Sequence, residues 1–222
     1  MPAPEYTWSP PRSKDELGLV ALDRELSPER LVSAYQHGVF PWPDSARPQL
    51  IPWVCPRRRA ILEFSALHVS RNLRRSHRML AAIRFTIDAA FEAVIQACAQ
   101  APRSGQAGTW ITADMVAAYT ELHRRGHAHS VEAWDGDQLV GGLYGVTAGG
   151  VFAGESMFHC RPDVSKLCVL RLVAHLGSRG ATWIDIQQLT PHFARLGARE
   201  ISRGEFLEKL ATEQQARRVL FP

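Results

Sequence analysis

The chain has 222 residues, 45% hydrophobic and 22% charged, with a formal net charge of +4 and a pI near 9.1, which suits one large globular domain or a small one joined to a larger one. No stretch approaches the roughly 18 apolar residues of a membrane span, and Met1-Pro2-Ala3-Pro4-Glu5 lacks the basic and apolar regions of a secretory leader, so the cytoplasm is the expected compartment. Cys55, Cys98, Cys160 and Cys168 are widely spaced with no C-x-x-C pair, which argues against a zinc site or a disulfide framework and points to buried, reduced thiols.

Residues 1 to about 16 are Pro-rich and polar and read as an irregular arm. Ser27-Pro28-Glu29 then opens a helix, with Ser27 as N-cap, Pro28 at the first helical position and an acid in the first turn. Leu31, Ala34 and Tyr35 form its apolar side, and Gly38 ends it. Val39-Phe40-Pro41-Trp42-Pro43 is a rigid aromatic turn, and Pro48, Pro52 and Pro56 punctuate the segment around Trp53. A strand is expected over 60–64 and an Arg-rich helix over about 70–79. Asp88 is expected to cap a helix running to Ala99, with Phe91, Val94, Ile95 and Cys98 on its apolar stripe. Residues 102–108 form a loop, and Thr112 caps the next helix, which ends at Arg124-Arg125-Gly126.

Beyond Gly126 the period changes. Residues 130–134 alternate, Asp135-Gly136-Asp137 signals a hairpin, and strands over 139–147 and 150–158 meet around Gly149-Gly150. Ser165 is expected to cap a helix closed by Gly180, a strand follows over 182–187, and Ser202-Arg203-Gly204-Glu205 fits a capping box for a last helix. This order gives a mixed α/β layer domain over 65–222, preceded by a smaller N-terminal domain over 1–64.

Two patterns carry chemical information. Strand alternation puts Val151, Ala153, Glu155 and Met157 on one face, and Trp183, Asp185 and Gln187 together on another. An Asp beside Trp and Ile on a strand must be hydrogen-bonded or paired. A carboxylate that holds a loop and one that does chemistry fit equally well at this point. The second pattern is a one-sided basic block, Arg57, Arg58, Arg59, Arg71, Arg74, Arg75, Arg78 and Arg84 with His68 and His77, opposed only by Glu63. It suits a polyanion such as an RNA backbone, or else a solvated basic face. Trp42, in its Pro-fixed turn, and Trp110, at a loop-to-helix junction, are stacking candidates for a nucleobase.

Other motifs fail on geometry. Gly154-Glu155-Ser156-Met157-Phe158 lacks the last glycine of a G-x-S-x-G elbow. His123, His127 and His129 straddle a helix end, so they do not share the face that a metal needs. The glycines at 141, 142, 145, 149, 150 and 154 match no phosphate loop and read as bulges or close approaches in strands.

Taken in order, Ala34-Tyr35-Gln36-His37-Gly38-Val39-Phe40-Pro41-Trp42, Gly108-Thr109-Trp110-Ile111, Gly126-His127-Ala128-His129-Ser130-Val131-Glu132, Gly141-Gly142-Leu143-Tyr144-Gly145-Val146, Gly154-Glu155-Ser156-Met157-Phe158, Ser165-Lys166 and Asp185-Ile186-Gln187 resemble the bacterial leucyl/phenylalanyl-tRNA–protein transferases. The resemblance runs from about Leu17 to Phe206. It implies an α+β fold, an acetyltransferase-like mixed sheet with flanking helices behind a small N-terminal α/β domain. It implies transfer of Leu or Phe, also Met, from aminoacyl-tRNA to the N-terminal amine of proteins beginning with Arg or Lys, marking them for degradation by the N-degron pathway. A monomer with no metal and no cofactor is expected.

The resemblance also assigns roles. Asp185, Gln187 and Glu155 fall at the catalytic positions, and Trp42 and Trp110 at the adenosine-stacking pair. Leu143, Phe152, Ser156, Val169, Leu172 and Leu176 fall where the family lines its aminoacyl pocket, and Arg71, Arg74, Arg75 and Arg78 on its tRNA-binding helix. Leu172 and Leu176 stand where some relatives carry Phe, which leaves the pocket's width and donor ranking open. Two rivals stay in view: an acyl-CoA-dependent N-acyltransferase on the same fold, and a non-catalytic tRNA-binding protein. Gln138-Leu139-Val140-Gly141-Gly142-Leu143 is the nearest approach to a CoA pyrophosphate loop and fails at Leu143.

Overall fold

Two sheets organise the chain. In the computed structural model, residues 6–8, 11, 15–43, 50–101 and 110–221 are described. The expected loop at 102–108, Pro48, Gly108, Thr109 and most of the N-terminal arm lie outside them. The smaller sheet is antiparallel, in the order β1 (Leu19–Asp23), β3 (Ile51–Val54), β2 (Phe40–Pro41), with helix α1 (Pro28–Gln36) between β1 and β2. The larger sheet has seven strands: β4 (Arg58–Glu63), β5 (Arg84–Ile87), β6 (Ala128–Asp135), β7 (Gln138–Ala148), β8 (Val151–His159), β9 (Trp183–Gln187) and β10 (Arg199–Ser202). Their order is β10-β4-β9-β8-β7-β6-β5. Every neighbouring pair is antiparallel except β8 and β9, which run parallel and register at Ala153 and Asp185.

Helices cover both faces. One face carries α5 (Val164–Ser178), whose Leu167, Cys168, Val169, Leu172, Val173 and Leu176 pack with Leu143, Phe152, Ile184 and Ile186. Helix α2 (Arg71–Met79) joins that layer through Leu73 alone. The other face is divided. Helices α1, α3 (Phe91–Gln100) and α4 (Ala113–Arg124) cover β6 to β8, burying Tyr144, Val146, Ala153 and Phe158. Helix α7 (Arg203–Ala216) covers the β4, β9 and β10 end through Phe206 and Leu210. The short α6 (Pro191–Arg195) links β9 to β10.

Local chemistry sets most helix starts. Ser27, Ser70, Thr112 and Ser202 each accept the N–H three residues on, at 3.2, 3.2, 3.3 and 3.2 Å. Two expected caps are different. Asp88 does not cap α3: it takes φ +57°, and its carboxylate accepts Ser130 N–H at 2.8 Å and lies 2.7 Å from His129 Nδ1. Glu132, buried across the sheet, instead lies 3.4 and 3.5 Å from the N–H groups of Ala89 and Ala90. Ser165 is already inside α5, because Asp163 turns the chain with φ +67°. The Ser165 hydroxyl lies 3.2 Å from His159 Nδ1 instead.

Three further findings revise the sequence reading. Strand β4 lies in the large sheet between β10 and β9, so residues on the near side of the boundary expected after 64 complete that sheet. Strands β5 and β10 carry no clear alternation and are specified by their partners. Cys160 is exposed, whereas Cys55, Cys98 and Cys168 are buried. The glycines of β7 do admit close neighbours: a methyl at Gly141 would meet Val164 at 2.5 Å, and one at Gly145 would meet the Phe152 ring at 2.4 Å. Among the described residues no helix is long and apolar enough to cross a membrane.

Candidate active site

The expected alternation of β8 breaks at Glu155. Tyr144 pairs with Ser156, but Gly145 pairs with Gly154, so Glu155 is the extra residue of a β-bulge. Before the bulge Ala153 faces the α1, α3 and α4 layer; after it Met157 faces α5 and Phe158 takes the first layer. The bulge therefore removes Glu155 from the face it was expected to share with Met157. Its carboxylate instead meets Tyr35 of α1 and Tyr119 of α4.

That carboxylate is closely held. Tyr35 Oη donates to Oε1 at 2.7 Å, and Tyr119 Oη to Oε2 at 3.3 Å. The two phenol oxygens are 2.6 Å apart. Gln187 Nε2 donates to Oε1 at 2.5 Å. Burial, with the negative charge of Asp185 adding to it, pushes the Glu155 carboxyl up to about 7 despite these hydrogen bonds. Both tyrosines are pushed well above the usual phenol range, first by burial and then by the Glu155 charge.

Gln187 and Asp185 form the adjoining half. Gln187 has φ +61°, and Gln188 N–H donates to Ile186 carbonyl across it at 2.6 Å. This is a γ-turn of the rare hand, a conformation that costs a β-carbon residue about 1–3 kcal/mol. The main-chain N–H of Gln187 donates to Asp185 Oδ1 at 2.9 Å. Asp185 in turn receives both forks of Arg59, Nε to Oδ1 at 2.9 Å and Nη2 to Oδ2 at 2.6 Å. All three side chains are enclosed, with Arg59 1%, Asp185 2% and Gln187 8% exposed.

The cluster thus runs Tyr119, Tyr35, Glu155, Gln187, Asp185, Arg59, across the seam between the α1–α4 layer and α7. It spans β8 and β9 where these parallel strands part beyond their one registered pair. Chemically it offers a carboxylate able to take up a proton near neutrality, an amide whose oxygen has no hydrogen bond among the described residues, and a neutralised charge pair behind them.

A family model described as "Leucyl/phenylalanyl-tRNA protein transferase" matches residues 61–211. That family's N-terminal domain matches residues 24–57. A protein of Anaeromyxobacter dehalogenans (strain 2CP-C) named leucyl/phenylalanyl-tRNA–protein transferase is 50% identical over 207 residues, covering 93% of this chain and 88% of its own. Proteins of the same name from Nitratidesulfovibrio vulgaris (strain DP4) and Cupriavidus necator are 50% and 51% identical, covering 90% and 86% of this chain and 85% and 76% of their own. The chain belongs to the leucyl/phenylalanyl-tRNA–protein transferase family.

The structure distributes the transferase residues named from sequence as follows. Glu155, Asp185 and Gln187 come together. Asp185 accepts the main-chain N–H of Gln187 and not its side-chain amide, because the γ-turn aims that side chain at Glu155. Leu143, Phe152, Val169, Leu172 and Leu176 share one apolar cluster under α5. Ser156 stands on the other face, opposite Tyr144, since the bulge reverses parity. Trp42 is 37% exposed and edge-on to Phe40 at 5.9 Å, whereas Trp110 is half-buried against the α1–α4 core.

The basic block divides. Arg71, Arg74, Arg75 and Arg78 are exposed on α2. Among the described residues none of the four forms an ion pair; Arg74 Nε donates to Val69 carbonyl at 3.1 Å. Arg57 and Arg58 pair with Glu16 and Glu200, and Arg59 is interior. Sequence reasoning therefore missed Arg59, Tyr35 and Tyr119 as members of the site. Tyr35 was placed on an apolar helix face, and nothing local distinguishes a buried Arg in a run of three. The histidines go elsewhere: His123 stacks on Phe91 and His129 on Phe221.

Proposed function

We propose that this protein transfers Leu, Phe or Met from aminoacyl-tRNA to the N-terminal amine of proteins beginning with Arg or Lys. The observation that carries the reading is the Glu155–Gln187–Asp185 chain at the parting of β8 and β9, in a member of this family. The donor's side chain enters the apolar cluster of Leu143, Phe152, Val169, Leu172 and Leu176, which Ser156 on the other face does not join. Its terminal adenosine stacks on Trp42 and Trp110, and its acceptor stem lies on Arg71, Arg74, Arg75 and Arg78. The product is marked for degradation through the N-degron pathway.

The reaction is aminolysis of an activated ester, so the difficult component is the amine. An α-ammonium group titrates at about 7.7–8.0, close to Glu155 at about 7. Glu155 takes one proton from the ammonium and passes it to solvent. Gln187 Oε1 accepts a hydrogen bond from the freed amine and aims its lone pair at the ester carbonyl carbon. The C–N bond forms, the bond to the ribose oxygen breaks, and the amine's second proton goes to that oxygen. Asp185, neutralised by Arg59, holds the turn, and the Glu155 carboxylate supplies the negative charge that favours a cationic acceptor terminus. The one parallel pair in the sheet, β8 and β9, supports this reading, since an acetyltransferase-like sheet parted there would admit an acyl donor from one face and an amine from the other.

The test is transfer of labelled Leu, Phe and Met from charged tRNA to peptides beginning with Arg, Lys or Gly. Label on the Arg and Lys peptides alone is expected. No transfer, with charged tRNA still bound, would overturn the reading in favour of a tRNA-binding module.

A further inference from the structure

We propose that Arg59 is a positioning residue for this transfer: it fixes Asp185, and through it the γ-turn at Gln187, and it docks the N-terminal sheet onto that turn. The inference rests on the catalytic reading of Asp185 and Gln187 above.

The guanidinium is held on each of its three nitrogens. Nε and Nη2 grip Asp185, and Nη1 donates to Gly38 carbonyl at 3.2 Å. Its two faces lie against Phe40 and Phe206, 4.4 and 4.5 Å from the ring centroids. Hydrogen bonds fix the fork within its plane and the rings fix the plane itself. Three of its five N–H groups are bonded within the fold and the residue is 1% exposed, so Arg59 acts through its neighbours. Asp185 Oδ1 is shared between Arg59 Nε and Gln187 N–H, which makes the position of the turn a function of the position of the fork.

The partners come from separate parts of the chain. Gly38 and Phe40 belong to the N-terminal segment, Phe206 to α7 and Asp185 to β9. Gly38 has φ +73°, and a methyl there would meet Leu207 and Phe206 at 2.8 and 2.9 Å, so its carbonyl is held close to α7. Phe40 in turn touches Trp42. One side chain thereby joins the reactive turn to the segment that carries a stacking Trp. An apolar residue in this place would often stabilise as well as an ion pair, so what Arg contributes is geometry. Lysine keeps the charge but not the planar fork.

The experiment uses the full chain in single-turnover transfer to an Arg peptide, with tRNA binding and thermal melting measured alongside. Arg59→Lys is expected to fold, to bind charged tRNA within about threefold of the wild type, and to transfer about 10- to 100-fold more slowly, the loss expected for a misplacement near 1 Å. Arg59→Ala is expected to regain rate with millimolar methylguanidinium but not with ethylammonium. Transfer by Arg59→Lys at the wild-type rate would overturn the proposal. So would an unchanged rate constant with reduced amplitude, which marks a merely structural role, or equal rescue by ethylammonium. Should Arg59→Ala fail to fold, Arg59→Lys decides alone. Absence of transfer by the wild type would instead overturn the reading on which the proposal rests.

Discussion

Glu155 is the carboxyl group that its surroundings bring to the neutral range. An ordinary glutamate titrates near 4.5, and this one is pushed up to about 7. Two consequences follow from the sign of that shift. The transfer rate should rise with pH through about 7 as the carboxylate forms, and Glu155→Gln should abolish that limb of the profile. A carboxyl whose folded value is raised binds its proton more tightly in the folded state. The stability this confers is fully present below 4.5 and is lost as pH climbs through about 7. Melting temperatures of Glu155→Gln should therefore gain on the wild type between pH 5 and pH 8, and a constant difference across that range would contradict the placement of Glu155. For Gln187→Ala, transfer should fall about 100-fold, the scale of losing one preorganised hydrogen-bonding group. Charged-tRNA affinity should stay nearly unchanged, as measured by filter binding.

At the scale of elements, α2 is the clearest instance of a helix specified for its surface. Leu73 is its one buried residue and its four arginines are exposed. Arg74→Ala with Arg75→Ala should weaken charged-tRNA binding and reduce the slope of log K against log salt by about 1 to 2, with the melting temperature little changed. An unaltered salt slope would remove α2 from the interface. Helix starts were largely legible because capping is local: Ser27, Ser70, Thr112 and Ser202 each bond an N–H within one turn. Asp88 and Ser165 were misread because each side chain found a better partner across the sheet or at the end of β8. The bulge at Glu155 was hidden for the same reason. An extra residue in one strand is defined only against its partner strand.

At the scale of the whole molecule, the two sheets share one core. Trp53, Phe40 and Tyr35 from the N-terminal segment pack in a single apolar cluster with Tyr119, Tyr144 and Phe158. The chain should unfold in one cooperative step, with equal calorimetric and van't Hoff enthalpies. Trp53→Ala, which empties a fully buried site, should lower that single transition by about 3–5 kcal/mol. Two separate transitions, only the first sensitive to Trp53, would show independent units instead.

The sequence by itself determined the chemistry available and its order along the chain. Asp185, Gln187 and Glu155, the Trp pair, the apolar positions of α5 and the arginines of α2 all stand in motifs that can be read without coordinates. Strand alternation and caps followed, because both depend on neighbours a few residues away. Only the tertiary structure decided which of these groups meet. It sent Arg59 inward to Asp185 while Arg57 and Arg58 found surface acids. It brought Tyr35 and Tyr119, 84 residues apart, onto one carboxylate. It separated Ser156 from the apolar cluster of Leu143, Phe152, Val169, Leu172 and Leu176 by a single bulged position. In each case the deciding energy is burial of a charge or ring against groups distant in sequence, which no local pattern encodes.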